Sequence, residues 1–157
     1  MAKKTSNAGR TKLPKEHWMT DPQEHDFPAA ATYLSLVLDP VSVELAVAAL
    51  RQAPSEMRQA KDILRASRLE LLPASDFHVA LDLKKVKDGD KLSPVLLVRG
   101  ILTQGVSLTI ADGYHRVCAS YHISENADIP CRIVDVSSAP ARGARARTAP
   151  TRPAPTS

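Results

Sequence analysis

The sequence predicts an α/β (α+β) domain with a small mixed sheet, because helical and strand-like periods follow one another in one short chain. Apolar residues recur at three- and four-residue steps between residues 28 and 87, whereas later segments are continuous or alternating runs of Val, Leu and Ile. The 157 residues are 43% apolar and 24% charged, which suits one globular domain. A chain of several full-sized domains is therefore excluded.

The first part of the domain, residues 17–75, is predicted to be a helical N-terminal extension. One helix covers 29–38, and a second begins at Pro40 after Asp39, since proline suits the first turn of a helix. A third helix is expected after a cap at Ser55. Its apolar face would consist of Met57, Ala60, Ile63 and Leu64.

Residues 76–136 are predicted to form the α/β domain proper. The expected elements are a helix over 76–86 capped by Asp76, strands over 94–99 and 106–111 paired as a hairpin, a helix over 114–123 and a strand over 129–136. Three strands and two helices in this order indicate a small mixed sheet with helices packed on it.

Positive charge is concentrated at the two ends of the chain. Residues 1–16 carry five Lys/Arg against one acid, and residues 137–157 carry four Arg and no acid. The segment between them has 12 basic and 16 acidic side chains, so the net charge of +4 belongs to the ends. The pI alone therefore does not predict a nucleic-acid-binding domain.

Both ends are expected to be disordered tails, because neither has enough apolar surface to offset the entropy of ordering. The alternative for the Ala/Pro/Arg-rich C-terminal tail is weak, sequence-independent contact with a nucleic acid. That contact would use Arg142, Arg145, Arg147 and Arg152. No run approaches the roughly 20 apolar residues that cross a bilayer, and no secretory signal is evident, so a cytoplasmic protein without a membrane partner is expected.

The turn before the helix over 114–123 combines residues that suit a phosphate. Free backbone amides and the helix dipole favour an anion at a helix N-terminus. Arg116 can add paired charge-assisted hydrogen bonds, and His115 another donor. Two cations in the first turn oppose the helix dipole, which itself indicates an anionic ligand. The candidate phosphate-binding residues are Asp112, Gly113, Tyr114, His115 and Arg116.

A purely structural interpretation of these residues stays open. Asp112 can serve only as an N-cap and Gly113 only as a turn residue. His115 can be a packed imidazole, and Arg116 one half of a surface ion pair.

The order of motifs from Leu92 to Val134 resembles the ParB/sulfiredoxin superfamily, and in particular the ParB N-terminal-like domain. That pattern runs from a Pro-Val strand through a hairpin and a DGxHR-type turn and helix to a Pro-started strand. The matching segments here are Pro94–Val98, Leu108–Ala111, Asp112–Arg116 and Ile129–Val134. The resemblance covers roughly residues 76–136 and implies that the helix start binds nucleotide phosphates, with a nucleoside triphosphate and Mg²⁺ as the expected cofactors.

The resemblance implies less about activity. Sulfiredoxins carry a nucleophilic Cys where this chain has Tyr114, and Cys118 lies one turn further on, so sulfinic acid reduction does not carry over. Partition proteins need a helix-turn-helix domain after the turn, where this chain has an Ala/Pro/Arg segment. Serine kinases of the superfamily use a similar DGxHR segment with a carboxylate, which makes Asp112 the candidate catalytic residue.

The expected function is therefore a nucleotide- or phosphate-binding regulatory or accessory module. The alternatives are a phosphotransferase or nucleotide hydrolase of the same superfamily, and a DNA-associated accessory protein using the Arg-rich tail. No metal site is predicted, because the His and acidic residues before the first helix match no ligand spacing. Cys118 and Cys131 are expected to be reduced and packed. The run Lys84, Lys85 and Lys87 is interpreted as a solvated face, with a flank of the nucleotide as the alternative.

Overall fold

The computed structural model describes residues 15–136. They form five helices and six strands in two sheets, which confirms the predicted mixed α/β class. Residues 1–14 of the predicted N-terminal tail over 1–16, and the predicted C-terminal tail over 137–157, lie outside the described residues. At the end of the predicted N-terminal tail, the Glu16 carboxylate accepts a hydrogen bond of 2.6 Å from the Ser120 hydroxyl. Glu16 is half-buried and thus packed against the domain, and this burial raises the pKa of its carboxyl group.

The chain alternates helices and short strands. The helices are α1 (Asp26–Leu34), α2 (Pro40–Gln52), α3 (Ala60–Ser67), α4 (Phe77–Asp88) and α5 (Tyr114–Ile123). The strands are β1 (His17–Trp18), β2 (Glu56–Gln59), β3 (Lys91–Leu92), β4 (Val95–Val98), β5 (Thr109–Asp112) and β6 (Asp128–Val134). A single 3-10 turn, Leu102–Gln104, lies in the β4–β5 loop.

The larger sheet has the strand order β2-β6-β4-β5. Its two central strands, β6 and β4, are parallel, and each outer strand runs antiparallel to its neighbour. The β4–β5 pair confirms the predicted hairpin. A second sheet consists only of β1 and β3 in parallel.

Alternate side chains of β4 enter two separate cores, so the sheet is covered on both faces. Val95 and Leu97 pack with residues of α3, α4 and α5. Leu96 and Val98 pack with residues of α1 and α2 on the opposite face. Side chains alternate across a strand, and burial on both faces requires the unbroken apolar run that β4 has. The fold is thus a three-layer arrangement with β4 in the middle.

The prediction of the third helix is wrong for its first turn. Residues 56–59 form β2, which pairs with β6, and α3 begins only at Ala60. Met57 faces solvent opposite Pro130, with 53% of its surface exposed, instead of sharing the helix face. The exposed edge of β6 offers backbone partners that local helix signals cannot reveal. The segment predicted as a helical extension thus also supplies an edge strand of the larger sheet.

The other predicted bounds hold to within a few residues, with one exception. Helix α1 covers 26–34, not 29–38, because the chain leaves the helix in tight turns after Leu34. Asp39 precedes a proline, which disfavours helical backbone at that residue, and its carboxylate instead caps α2 by accepting from the Ser42 amide at 3.0 Å. The predicted Asp76 cap of α4 and the bounds of α5 are confirmed.

Arg132 joins the sheet to the end of α2. It is 9% exposed, and its Nη1 donates to the carbonyl oxygens of Leu50 and Arg51 at 3.2 and 2.8 Å. Its Nη2 pairs with Asp21 at 2.8 Å. The last carbonyls of a helix have no partner within it, so this guanidinium satisfies them between two layers of the fold.

Arg132→Met is therefore expected to lower the free energy of unfolding by about 2 to 3 kcal/mol, since buried carbonyls lose charged donors. Urea denaturation measures the change. The control is Asp21→Asn, whose carboxylate is 73% exposed and should contribute under about 1 kcal/mol. Equal losses in the two variants would contradict this account, because they would assign the stability to the ion pair alone.

Candidate functional site

Gly113 forms the turn between β5 and α5 in a conformation that favours glycine. Its φ is +108°, and a Cβ there would lie 2.5 Å from Cγ1 of Val95 in the sheet. Gly113 is also the N-cap of α5 and provides no side-chain cap. The amides of the first turn therefore have no side-chain partner from the cap position.

Asp112, the last residue of β5, is not the N-cap of α5. Its Oδ2 accepts a hydrogen bond of 2.7 Å from Nη2 of Arg116, one helical turn later. Burial raises the pKa of Asp112, and the charge of Arg116 opposes that rise. The carboxyl group thus retains its proton to higher pH than an ordinary aspartate.

Asp112 satisfies only part of the hydrogen-bonding capacity of the Arg116 guanidinium. Its side chain is 16% exposed and engages Asp112 through Nη2. The buried Nε has no hydrogen-bond partner among residues 15–136. This Nε is inaccessible to solvent, as is the unpartnered Nε of Arg132, so a ligand can contact Arg116 only through the exposed part of its side chain.

Helix α4 places the imidazole of His78 beside that of His115 in the turn. The rings of His78 and His115 lie 4.7 Å apart between centroids and are tilted by 41°. The His78 amide donates a hydrogen bond of 3.0 Å to the Asp76 carboxylate at the start of α4. The contact between the two rings places α4 directly beside the first turn of α5.

A pocket of about 220 Å³ opens between α4 and the turn; it is called the α4–α5 pocket below. The turn contributes four of its five predicted residues, namely Asp112, Gly113, His115 and Arg116. Helix α4 contributes His78, Leu81, Asp82 and Lys85. These positions follow one helix face at steps of three and four residues, a signal present in the sequence but without any indication of what the face contacts.

Tyr114 does not line this pocket. Its hydroxyl donates a hydrogen bond to the Glu70 carbonyl, and its ring lies 5.8 Å from that of His115. Tyr114 therefore holds the loop after α3 through this hydrogen bond, and its ring packs beside the His115 imidazole.

Ionic groups of both signs line the α4–α5 pocket. Arg116 pairs with Asp112, and Lys85 lies 3.3 Å from Asp82, so two cations face two carboxylates. An anionic ligand in this pocket must therefore compete with the two carboxylates for the two cations.

The two cysteines are thiols packed in the core. Cys118 and Cys131 are both buried and unpaired with each other, as predicted. Burial raises the pKa of Cys118 and raises that of Cys131 to about 11, which disfavours the nucleophilic thiolate. Neither thiol lines the α4–α5 pocket.

Within residues 15–136, no three His, Cys, Asp or Glu side chains converge as metal ligands. Asp26, from the His and acidic cluster before α1, is instead buried, and its carboxylate accepts hydrogen bonds from the Ser93 hydroxyl and the Gln23 amide. The candidate nucleic-acid contacts of the C-terminal tail lie outside the described residues.

Searches against protein-family models, curated proteins and solved structures found no match to this chain. Among residues 15–136, none of the helices has the length and apolar character needed to cross a bilayer.

Proposed function

We propose that the protein is a ParB/sulfiredoxin-like regulatory or accessory module that binds the phosphate groups of a nucleotide or other phosphorylated ligand in the α4–α5 pocket. The observation that carries this proposal is the pocket itself. His78, Lys85, His115 and Arg116 all line it, in front of a helix N-terminus without a side-chain cap. Such a site combines backbone donors, a favourable helix dipole and cationic side chains. The cytoplasmic location predicted from the sequence is part of this proposal.

The size of the pocket limits which part of a ligand it takes. Sites that enclose a whole drug-sized ligand measure roughly 300 to 1,000 Å³. The α4–α5 pocket measures about 220 Å³. It therefore suits one or two phosphate groups and not a whole nucleotide.

Thermal melting with ligands tests the proposal. ATP, CTP, GTP and inorganic pyrophosphate, each with and without Mg²⁺, are compared with the corresponding nucleosides. At least one phosphorylated compound should raise the Tm, because a ligand present at about 100 times its Kd stabilises the folded state by about 2.7 kcal/mol. Unchanged melting with every phosphorylated compound at millimolar concentration, or equal shifts from the nucleosides, would refute it.

One observation favours the enzymatic alternative, a phosphotransferase or nucleotide hydrolase. Asp112 places a carboxyl group with a raised pKa inside the pocket, where it can accept a proton or hold Mg²⁺ beside phosphates. Phosphate release with Mg²⁺ that is lost in Asp112→Asn, while ligand binding persists, would establish the enzyme. Binding without turnover would establish the module.

A further inference from the structure

A second cavity, of about 410 Å³, lies at the opposite end of β4 from the α4–α5 pocket. Apolar side chains of three elements line it: the buried core residues Ile63 of α3 and Leu97 of β4, and the partly buried Ile133 of β6. Its outer wall contains Leu102 and Val106 of the β4–β5 loop, which are 88% and 50% exposed. Exposed large apolar side chains beside an apolar hollow indicate a surface that a ligand covers.

Backbone hydrogen bonds fix the walls of this cavity. The Leu108 amide donates to the Ala66 carbonyl at 3.0 Å, which ties the β4–β5 loop to the end of α3. Within the loop, Ile101 and Val106 exchange hydrogen bonds of 2.8 and 3.0 Å. The cavity is thus held open by backbone contacts, and ligand binding needs little reorganisation.

The rim of the cavity is basic, so it is called the arginine-rimmed cavity. Its lining includes four arginines but only one acid, Asp62; the arginines are Arg58, Arg65, Arg68 and Arg99. Three of them form exposed ion pairs with neighbouring carboxylates at 2.7 to 3.0 Å. Arg68 has no ion pair within residues 15–136. Its guanidinium is the cation left for an anionic ligand.

The backbone of Arg68 adds an independent observation. Its φ of +56° is the one positive value of a non-glycine residue among residues 15–136. The residue caps the C-terminus of α3, where glycine is favoured because it adopts this conformation without strain. An arginine that violates this preference at the mouth of a cavity indicates a role for its side chain.

We propose that the arginine-rimmed cavity binds an anionic amphiphile of the fatty-acid class. The alkyl chain lies between the exposed side chains of Leu102 and Val106 and the partly buried Ile133, and the carboxylate is bound by Arg68. The volume of about 410 Å³ lies within the range of small-molecule sites. Charge complementarity selects an anion, and it disfavours the chain's own segment 137–157, which carries four Arg and no acid. This site is independent of the phosphate site proposed above.

Isothermal titration with three amphiphiles of equal chain length tests the headgroup preference. Decanoate should bind about tenfold or more tightly than decanol, because a charge-assisted hydrogen bond to Arg68 is present only with the anion. Decyltrimethylammonium should bind more weakly still. Equal affinities for all three compounds, or no binding of decanoate, would overturn the proposal.

Arg68→Gly provides a test that loss of folding cannot mimic. The substitution relieves the left-handed backbone and so should leave the Tm unchanged or raise it. It should nevertheless weaken decanoate binding about tenfold. Lys87→Gln removes one exposed cation from α4 and should leave decanoate binding unchanged. Unaltered decanoate affinity in Arg68→Gly would overturn the assignment.

Leu102→Ser probes the apolar wall without disturbing the core, since this side chain is 88% exposed. It should weaken decanoate while leaving the thermal response to nucleotides at the α4–α5 pocket intact. If decanoate fails to bind where an acidic Leu/Glu-rich peptide does bind, the cavity is a protein-docking surface and the fatty-acid assignment is wrong.

Discussion

Gly113→Ala is expected to lower the free energy of unfolding by about 4 kcal/mol, because backbone strain and overpacking act at one residue. The φ of +108° is unfavourable for any side chain. The new methyl group would also lie 2.5 Å from Cγ1 of Val95, which is fully buried in the central strand. Relief would require a shift of α5 or of β4, and both belong to the core.

Gly89→Ala is the matched control. Gly89 also has a positive φ, +79°, but a Cβ there meets no atom within 4 Å. It should therefore show only the conformational cost, about 1 kcal/mol. Urea denaturation of both variants separates the two contributions. Similar losses would show that contact with Val95 is not what requires glycine at the start of α5.

The elements predicted best are those whose signals are local. Asp76 caps α4 through the amides of His78 and Val79, and Gly113 starts α5 at the predicted turn. Both signals depend on side chains within three residues of the helix end. The sequence therefore predicts the starts of α4 and α5 without knowledge of the tertiary structure, but not those of α1 and α3.

The sequence does not predict strand β2, because the strand with which it pairs lies about 70 residues further along the chain. Residues 56–59 pair with 128–131 of β6, and only that edge makes extended backbone favourable after Pro54. The two-residue strands β1 and β3 are likewise too short to show a period. Long-range pairing, not local propensity, explains these errors.

The candidate site likewise combines residues that a local motif predicts with residues that only the tertiary structure brings to it. Four of the five turn residues, all except Tyr114, line the α4–α5 pocket, because one motif specifies their spacing. His78, Asp82 and Lys85 join them from a helix that is distant in sequence. Their spacing indicates a shared face, but only packing of α4 on α5 shows what that face contacts.

Arg116 and Asp112 make opposing contributions to the charge of the pocket. The ion pair at 2.7 Å keeps the Arg116 guanidinium oriented at the helix start. The Asp112 carboxylate of this pair also repels an incoming phosphate. A ligand must therefore compete with Asp112 for the guanidinium. This competition predicts that the two residues affect phosphate binding in opposite directions.

Arg116→Ala is expected to weaken binding of the stabilising phosphate compound about a hundredfold, because it removes the paired charged donors. Asp112→Asn should instead tighten binding about tenfold, since it removes a negative charge beside the phosphate. Isothermal titration of the folded variants measures both constants. A change in the same direction in the two variants would refute the competition, because generic damage to the pocket weakens binding in both.

The pH dependence of ligand binding in wild type and in Asp112→Asn tests the contribution of this carboxyl group. Burial raises the pKa of Asp112, so as the pH falls through that raised value the wild-type group loses its charge and releases Arg116. The affinity advantage of Asp112→Asn should therefore be largest at neutral pH and shrink towards acid. A ratio of variant to wild-type affinity that stays above one but does not change from neutral to acidic pH would contradict the raised pKa of Asp112. A ratio of one at every pH would mean that the carboxyl group does not repel the ligand, and the competition would then have no electrostatic basis.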